Sequence, residues 1–240
     1  MRITKEKHVY QITFYPTLFP VNCYLIEEED DLTLIDTALP NSTNDILNAA
    51  KQIGKPIKRI LLTHAHSDHI GALDSLKKVL PEAQVYISRR EAKLLEGDRT
   101  LLPSEPQTPV KGGVPKPNSI KTAPDVLLEN EDQIHSLVVL STPGHTPGSI
   151  SFLDRRTKAI IAGDAFQVRG GVAVSGQLKA LFPFPAIATW SKAMALESAE
   201  KLRAFQPSLL AVGHGKLLLN PLDQMDSAIK NAKENLSKKK

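Results

Sequence analysis

The chain has 240 residues, of which 41% are hydrophobic and 23% charged, a composition that suits a globular protein with a sizeable core. Its net charge of +4 includes the lysine run at 238–240, and no basic and aromatic residues interleave as in a nucleic-acid platform. No stretch reaches the ~20 apolar residues of a membrane helix, and no apolar signal core follows the start. We therefore expect a single cytoplasmic domain over residues 1–240, without a nucleic-acid or membrane partner.

Strands and helices alternate in the first part of the chain. β-branched residues and alternating polarity predict strands near 8–15, 22–28, 32–36, 58–63 and 84–88. The segment NSTNDILNAAKQIG predicts a helix with Asn41 or Ser42 as its cap and Gly54 as its stop. A second apolar stripe at helical spacing predicts a helix from Ile70 to Leu80.

A long irregular segment separates this part from the rest. Residues 97–124 carry six prolines and several glycines, so we predict a Pro/Gly-rich loop that is either a surface insertion or the cover of a site. Further strands are predicted near 125–128, 137–141, 149–154, 159–162 and 208–212, with helices at 190–205 and from Pro221 onwards. Strand blocks with helices outside them indicate sheets packed face to face.

Four apolar strands are each followed by histidine or aspartate. The segments are ILLTHAHSDH, SLVVLSTPGH, AIIAGD and LLAVGH, and they supply His64, His66, Asp68, His69, His145, Asp164 and His214. Residues two apart on an extended chain project to one side, so His64 and His66 can bind one ion together. With His145 completing this first set, His214 completing a second with Asp68 and His69, and Asp164 bridging, the pattern predicts two metal ions roughly 3.5 to 4 Å apart.

In this order, HAHSDH, PGHT, GDAF and VGHG resemble the metallo-β-lactamase-fold hydrolase superfamily along nearly the whole chain. The resemblance implies an α/β fold, a four-layer αββα sandwich of the metallo-β-lactamase type, with the metals at one edge of the two sheets. His8 and His135 lie outside these motifs, and we expect them to be ordinary surface or core residues. Cys23, the only cysteine, is expected to be a buried strand residue.

Metal binding lowers the pKa of a water from 15.7 to about 7 and makes hydroxide available without a side-chain nucleophile. We therefore expect a hydrolase in which Asp68 or Asp164 helps to handle protons as a catalytic residue. Imidazole and carboxylate ligands without thiolate suit zinc, which we expect, and manganese, iron or cobalt are alternatives.

The motifs can also be compared with those of particular groups within the superfamily, and we expect a small-molecule substrate. True metallo-β-lactamases generally lack an aspartate at the position of Asp164, which argues against antibiotic hydrolysis. Glyoxalase II shares the ligands but uses a C-terminal helical domain, and only 26 residues follow His214 here. Quorum-quenching lactonases place a tyrosine at the position of Gln167, and the RNA-processing members carry inserts that this chain does not match.

Specificity is expected to come from the 97–124 loop and from residues 165–190. Aromatic and aliphatic side chains there would either form an apolar wall beside the metals or pack on the next helix; they are Phe166, Leu181, Phe182, Phe184 and Trp190. Arg169 would bind an anionic group or be solvated. An ester, lactone or thioester is the expected substrate. The alternatives are an iron-dependent oxidoreductase such as a sulfur dioxygenase, a phosphodiesterase or ribonuclease, and a binding module without activity.

Overall fold

The computed structural model describes residues 1–238, so two of the three terminal lysines lie outside the described residues. The chain is a mixed α/β protein with two compact units. The first comprises Met1–Asp98 and Gly113–Leu128, and the second comprises Arg99–Gly112 and the residues from Glu129 onwards. The irregular segment at 97–124 contains no helix or strand and contributes residues to both units. The expected single domain stays a prediction.

A seven-stranded sheet, with its strands in chain order, forms the centre of the first unit. The strands are β1 (Arg2–Glu6), β2 (Val9–Phe14), β3 (Val21–Glu27), β4 (Leu32–Ile35), β5 (Ile57–Leu61), β6 (Gln84–Ser88) and β7 (Val126–Leu128). Neighbours from β1 to β4 run antiparallel, and neighbours from β4 to β7 run parallel. The carboxyl ends of parallel strands emerge at the same edge of a sheet, so the residues that follow β4 and β5 lie side by side.

Four helices belong to the first unit: α1 (Thr43–Ile53), α2 (Ser67–Ile70), α3 (Leu73–Val79) and α4 (Arg89–Leu95). Gly54 ends α1 in a left-handed conformation, as predicted. Ser42 occupies the position before α1, but its hydroxyl accepts the Leu39 N–H and makes no cap hydrogen bond.

The predicted helix from Ile70 to Leu80 is in fact two helices. The break falls at Gly71, whose N–H donates to the carbonyl oxygen of Ala38 at 2.8 Å. A Cβ atom at this position would lie 2.6 Å from that same oxygen. Only glycine permits this approach of the two backbones, which holds α2 against the segment after β4.

The second unit contains a six-stranded sheet in the order β15-β14-β11-β10-β9-β8 and a two-stranded ribbon, β12-β13. The strands are β8 (Gln133–Ile134), β9 (Leu137–Ser141), β10 (Ile150–Asp154), β11 (Ala159–Ile161), β12 (Phe166–Gln167), β13 (Ala173–Val174), β14 (Leu209–Ala211) and β15 (Leu218–Leu219). Strands β11 and β14 pair parallel, so the residues that follow them also share one edge.

Helices α5 (Phe184–Ala188), α6 (Lys192–Ala204) and α7 (Leu222–Ser237) complete the second unit. Its apolar core includes Phe166, Val174, Leu202, Leu210 and Met225. Burial of one such Leu, Phe or Met side chain contributes about 1.5–3 kcal/mol. The buried face of α7 confirms the core stripe that its spacing predicted.

Cys23 is buried in β3, as predicted, and burial raises the pKa of its thiol well above the usual value. The thiol is therefore neutral at physiological pH and is a poor metal ligand or nucleophile. Among the described residues, no helix has both the length and the apolar composition needed to span a bilayer.

Candidate metal centre

The segment after β5 brings three predicted ligands together in the first unit. His64, His66 and His69 are buried, and the ring centroid of His64 lies 4.8 Å from that of His66 and 4.0 Å from that of His69. His66 is in extended conformation immediately before α2, so the chain turns into the helix between the second and third imidazoles. Asp68 lies on α2 and is partly exposed.

Asp36 orients two of these rings. Its Oδ2 atom lies 2.7 Å from Nδ1 of His69 and accepts the hydroxyl of Thr63 at 2.8 Å, while its Oδ1 accepts the N–H of Thr63 at 2.8 Å. The Thr63 oxygen lies 3.0 Å from Nδ1 of His64, so that ring can donate to the hydroxyl that donates to Asp36. In both rings the proton then sits on Nδ1, and Nε2 is the atom that can ligate a metal.

Asp36 is not among the predicted site residues, although it follows the apolar strand β4 just as other site residues follow theirs. Its backbone has φ of 59°, a left-handed conformation that aspartate and asparagine tolerate better than most residues. Such strain near a site is often retained for function.

Glu91 is a second residue of this site that is not among the predicted ones. Its side chain is fully buried, and its Oε1 accepts the N–H of Ala65, the residue between His64 and His66, at 2.9 Å. Ser88 caps α4 by accepting the N–H of Glu91 at 3.0 Å. The carboxylate therefore fixes the backbone that presents both imidazoles.

The irregular segment also contacts this ligand cluster within the first unit. The carbonyl oxygen of Gly113 accepts the N–H of Ser67, the first residue of α2, at 2.9 Å. The middle of the segment therefore lies next to the start of α2, one residue before Asp68. This contact is consistent with the covering role that was one of the two expectations for residues 97–124.

In the second unit, His145, Asp164 and His214 lie at the ends of β9, β11 and β14 and are buried. The Oδ2 atom of Asp164 lies 3.4 Å from Nε2 of His145 and 3.3 Å from Nε2 of His214. One carboxylate oxygen is thus nearly equidistant from two imidazole nitrogens. A carboxylate in this position would be available, with the two imidazoles, to hold a divalent cation.

A chain of hydroxyl groups orients His145. Its Nδ1 lies 3.0 Å from the hydroxyl of Ser175 and 3.3 Å from that of Thr189. The two hydroxyls are 2.8 Å apart, and Thr189 donates to the carbonyl oxygen of Pro185 at 2.6 Å. Because Thr189 donates to Pro185, its oxygen accepts the proton of the Ser175 hydroxyl. The Ser175 oxygen can then accept the Nδ1–H of His145, which leaves Nε2 as the ligand atom.

The turn before His145 depends on Gly144. Its φ is 144°, and a Cβ atom there would lie 2.3 Å from the backbone nitrogen of Ala195. The Trp190 N–H donates to the carbonyl oxygen of His145 at 2.9 Å. The start of α6 therefore packs directly on the turn, and only glycine fits.

Only part of the predicted apolar wall lies beside a predicted ligand. The ring of Phe182 is buried with its centroid 5.1 Å from that of His214 and 5.3 Å from that of Phe184, which is 52% exposed. Leu181 points to solvent, with 77% exposure. Phe166 belongs to the apolar core together with side chains of α6, which agrees with the alternative expectation that these residues pack on the next helix. Trp190 is buried, and its indole N–H donates to Thr108 at 2.8 Å.

Across the described residues, the groups of His, Cys, Asp and Glu side chains able to hold a metal are drawn from the seven predicted ligands. His8 and His135 take no part in such groups there, which agrees with the ordinary role expected for them. Imidazole and carboxylate groups such as these suit zinc, manganese or iron.

Comparison with known proteins places the chain in a family. The family model described as "Metallo-beta-lactamase superfamily" matches residues 16–214. The protein YobT of Bacillus subtilis is 57% identical over 98% of this chain and 100% of its own length. Hydroxyacylglutathione hydrolase GloC of Haemophilus influenzae is 30% identical over 65% of this chain and 71% of its own length.

Solved structures agree with this placement. The structure of TTHA1623 in a di-iron-bound form has a TM-score of 0.64 at 27% identity, covering 89% of this chain and 96% of its own. DIM-1 metallo-β-lactamase has a TM-score of 0.72 at 15% identity, covering 98% and 97%, and this likeness concerns the fold alone. The predicted α/β fold of the metallo-β-lactamase type is confirmed. The chain belongs to the metallo-β-lactamase superfamily.

Proposed function

We propose that this protein is a metal-dependent hydrolase that holds two divalent ions and cleaves an ester, lactone or thioester of a small molecule. The proposed ligands are His64, His66, Asp68, His69, His145, Asp164 and His214. We also propose that these seven residues bind one shared pair of ions. The chain would then form a single domain of the expected αββα type. A cytoplasmic location also stays a prediction.

The observation that carries this proposal is the orientation of the imidazoles. The Nδ1 atoms of His64, His69 and His145 each lie within 3.0 Å of a side-chain oxygen. A histidine whose Nδ1–H is held in this way presents Nε2 to a metal, and such supporting hydrogen bonds accompany metal-binding histidines. The hydrogen bonds that hold the three rings therefore favour metal binding over a purely structural role.

When bound, divalent ions supply a hydroxide nucleophile at neutral pH and an electrophile for the substrate oxygen. The carboxylate of Asp164, within 3.4 Å of two histidine Nε2 atoms, is placed to bridge and to reduce the net positive charge. Asp68 is partly exposed, so we assign it the exchange of protons with solvent. Phe182 beside His214 provides an apolar surface for an acyl group.

Zinc is the metal that we propose. The ligand set does not distinguish zinc from iron or manganese, since all three accept imidazole and carboxylate. To identify the metal, the metal content of protein purified without added metal is measured first. The metal-free protein is then reconstituted with each ion separately. We expect about two zinc ions per chain.

The test of hydrolysis is a substrate panel assayed with zinc-, manganese- and iron-loaded protein. It contains p-nitrophenyl butyrate, a thioester, a γ-lactone and bis(p-nitrophenyl) phosphate. We expect turnover of the acyl substrates and little of the phosphodiester. Turnover of the phosphodiester alone would replace the proposed function with a phosphodiesterase or ribonuclease, and inactivity on the whole panel would contradict the proposal.

An iron-dependent oxidoreductase is the second candidate, because TTHA1623 has been solved in a di-iron-bound form and resembles this chain. If the protein is such an oxidoreductase, the purified protein should be coloured and rich in iron, and it should consume oxygen in the presence of a persulfide. Colourless zinc protein that hydrolyses acyl substrates and consumes no oxygen would exclude it.

A further inference from the structure

Gln167 is a buried polar residue whose side chain the fold does not satisfy. It is 2% exposed, and neither its Nε2 nor its Oε1 has a hydrogen-bond partner within the described part of the chain. A carboxamide offers two donors and one acceptor oxygen. Burying these groups without partners is unfavourable, and each such case in a native structure requires an explanation.

The ribbon β12-β13 shows which way this side chain faces. Phe166 and Val174 are directly opposite each other, and both side chains belong to the apolar core of the second unit. Successive residues of a strand point to opposite faces. Gln167 and its partner Ala173 therefore occupy the opposite face of the ribbon from Phe166 and Val174.

The same face carries a residue that contacts a predicted ligand. Ser175 continues the pairing of the ribbon, since its N–H donates to the carbonyl oxygen of Ala165 at 3.0 Å. It is two residues beyond Ala173 and so lies on the same side as Gln167. Its hydroxyl is 3.0 Å from Nδ1 of His145. Gln167 thus lies on the side of the ribbon that supports His145.

The backbone around Gln167 is also tied to the other ligands of the second unit. The N–H of Val168 donates to the carbonyl oxygen of His214 at 3.0 Å. Asp164 precedes Gln167 by three residues. The backbone that carries the carboxamide is therefore attached to His214 and lies close to Asp164 in the chain.

Building on the proposed hydrolase function, we propose that Gln167 is a specificity-determining residue that binds the acyl part of the substrate. Its Nε2–H donates to an acceptor oxygen, and its Oε1 accepts a hydrogen bond from a donor close to that oxygen. An acyl group with a hydroxyl beside the scissile carbonyl meets both requirements. A plain aliphatic acyl group leaves the Oε1 acceptor unsatisfied.

The test compares lactoyl and propionyl thioesters of N-acetylcysteamine, which differ only in that hydroxyl. We expect the zinc-loaded wild type to prefer the lactoyl thioester by about tenfold in kcat/KM, since a site that hydrogen-bonds a substrate hydroxyl discriminates against the analogue that lacks it. Gln167→Met, which keeps the length of the side chain and removes its polar atoms, is expected to reduce the preference to about one.

A second measurement uses metal-free protein and does not depend on activity. The urea midpoint of Gln167→Met is expected to equal or exceed that of the wild type, because no hydrogen bond within the described chain is lost. The matched control is Gln177→Met, since Gln177 is in the same region and its Oε1 accepts the Val174 N–H at 2.9 Å. That variant should lower the urea midpoint and retain the lactoyl preference.

The outcomes separate two failures. If the wild type hydrolyses both thioesters and Gln167→Met leaves the ratio unchanged, the role of Gln167 is overturned while the hydrolase proposal stands. A clear drop in the urea midpoint of Gln167→Met would also overturn it, since the carboxamide would then be structural. If the wild type hydrolyses neither thioester nor any member of the acyl panel, both proposals fall.

Discussion

The carboxylate of Asp36 lies 2.7 Å from Nδ1 of His69. This contact joins the residue after β4 to a residue of α2, and it places the Nδ1 proton of the imidazole between the two side chains. Asp36 also accepts the N–H and the hydroxyl of Thr63, whose oxygen contacts His64. One carboxylate therefore governs the orientation of two predicted ligands.

Replacing Asp36 with asparagine should weaken metal binding by about 10- to 100-fold, the usual effect of losing a residue that supports a ligand. Asparagine keeps the size of the side chain and tolerates the left-handed backbone, but its amide cannot accept every hydrogen bond that the carboxylate accepts. Competition with a chromogenic zinc chelator measures the change. The exposed Asp30→Asn is the control, and equal zinc affinity in the two variants would contradict this role.

Asp164→Ala should lose one of the two expected ions and most hydrolytic activity, because a single carboxylate oxygen near His145 and His214 is removed. Metal content per chain and initial rates on p-nitrophenyl butyrate provide the two measurements. The exposed Asp223→Ala serves as control. Full metal occupancy with undiminished turnover in Asp164→Ala would refute the bridging role.

The sequence predicts those site residues that have a recognisable pattern of neighbours in the chain. Asp164 and His214 each follow an apolar strand and a glycine, and the fold indeed brings these two side chains within 3.3 Å. Asp36 follows an apolar strand as well, but it has no histidine or glycine beside it in the sequence. A lone aspartate there is equally typical of a turn, so only the parallel pairing of β4 with β5 reveals its role.

Glu91 could not have been found from local pattern. It accepts a hydrogen bond from Ala65, 26 residues away, and it lies on the short helix α4, which has too few residues for a clear periodic signal. The residues expected to determine substrate specificity are also hard to predict from local pattern, as Phe166 shows. Its two-residue strand was not predicted, so nothing in the sequence indicated that it faces the core while Gln167 faces the other way.

Glu91→Gln and Glu91→Leu should differ, although both remove the negative charge. Glutamine can still accept the N–H of Ala65 through its amide oxygen, whereas leucine leaves that buried donor unsatisfied at a cost of about 1–3 kcal/mol. We expect a loss of stability in that range for leucine and a smaller loss for glutamine, measured by urea unfolding of metal-free protein. Equal losses in the two variants would mean that charge, and not the hydrogen bond, is what matters.

Asp74 should make the attachment of the irregular segment to α3 dependent on pH. Its Oδ1 accepts the N–H of Thr122 at 2.8 Å and the Thr122 hydroxyl at 2.7 Å, and its Oδ2 accepts the N–H of Lys121 at 3.0 Å. Burial alone would raise the pKa of Asp74, but the hydrogen bonds from Thr122 and Lys121 outweigh it and lower the pKa below the usual 3.8.

A carboxyl group with a lowered pKa in the folded state stabilises the protein above its unfolded pKa, and this contribution is lost as the pH falls through the folded value. Asp74→Ala should therefore be less stable than the wild type at pH 7, and the difference should shrink as the pH falls below about 4. Urea unfolding from pH 7 to pH 2.5 measures the difference, with Asp30→Ala as control. Limited proteolysis at neutral pH should also cleave Asp74→Ala faster within 97–124. A stability difference that stays constant across this range would show that the ionised carboxylate does not hold the segment.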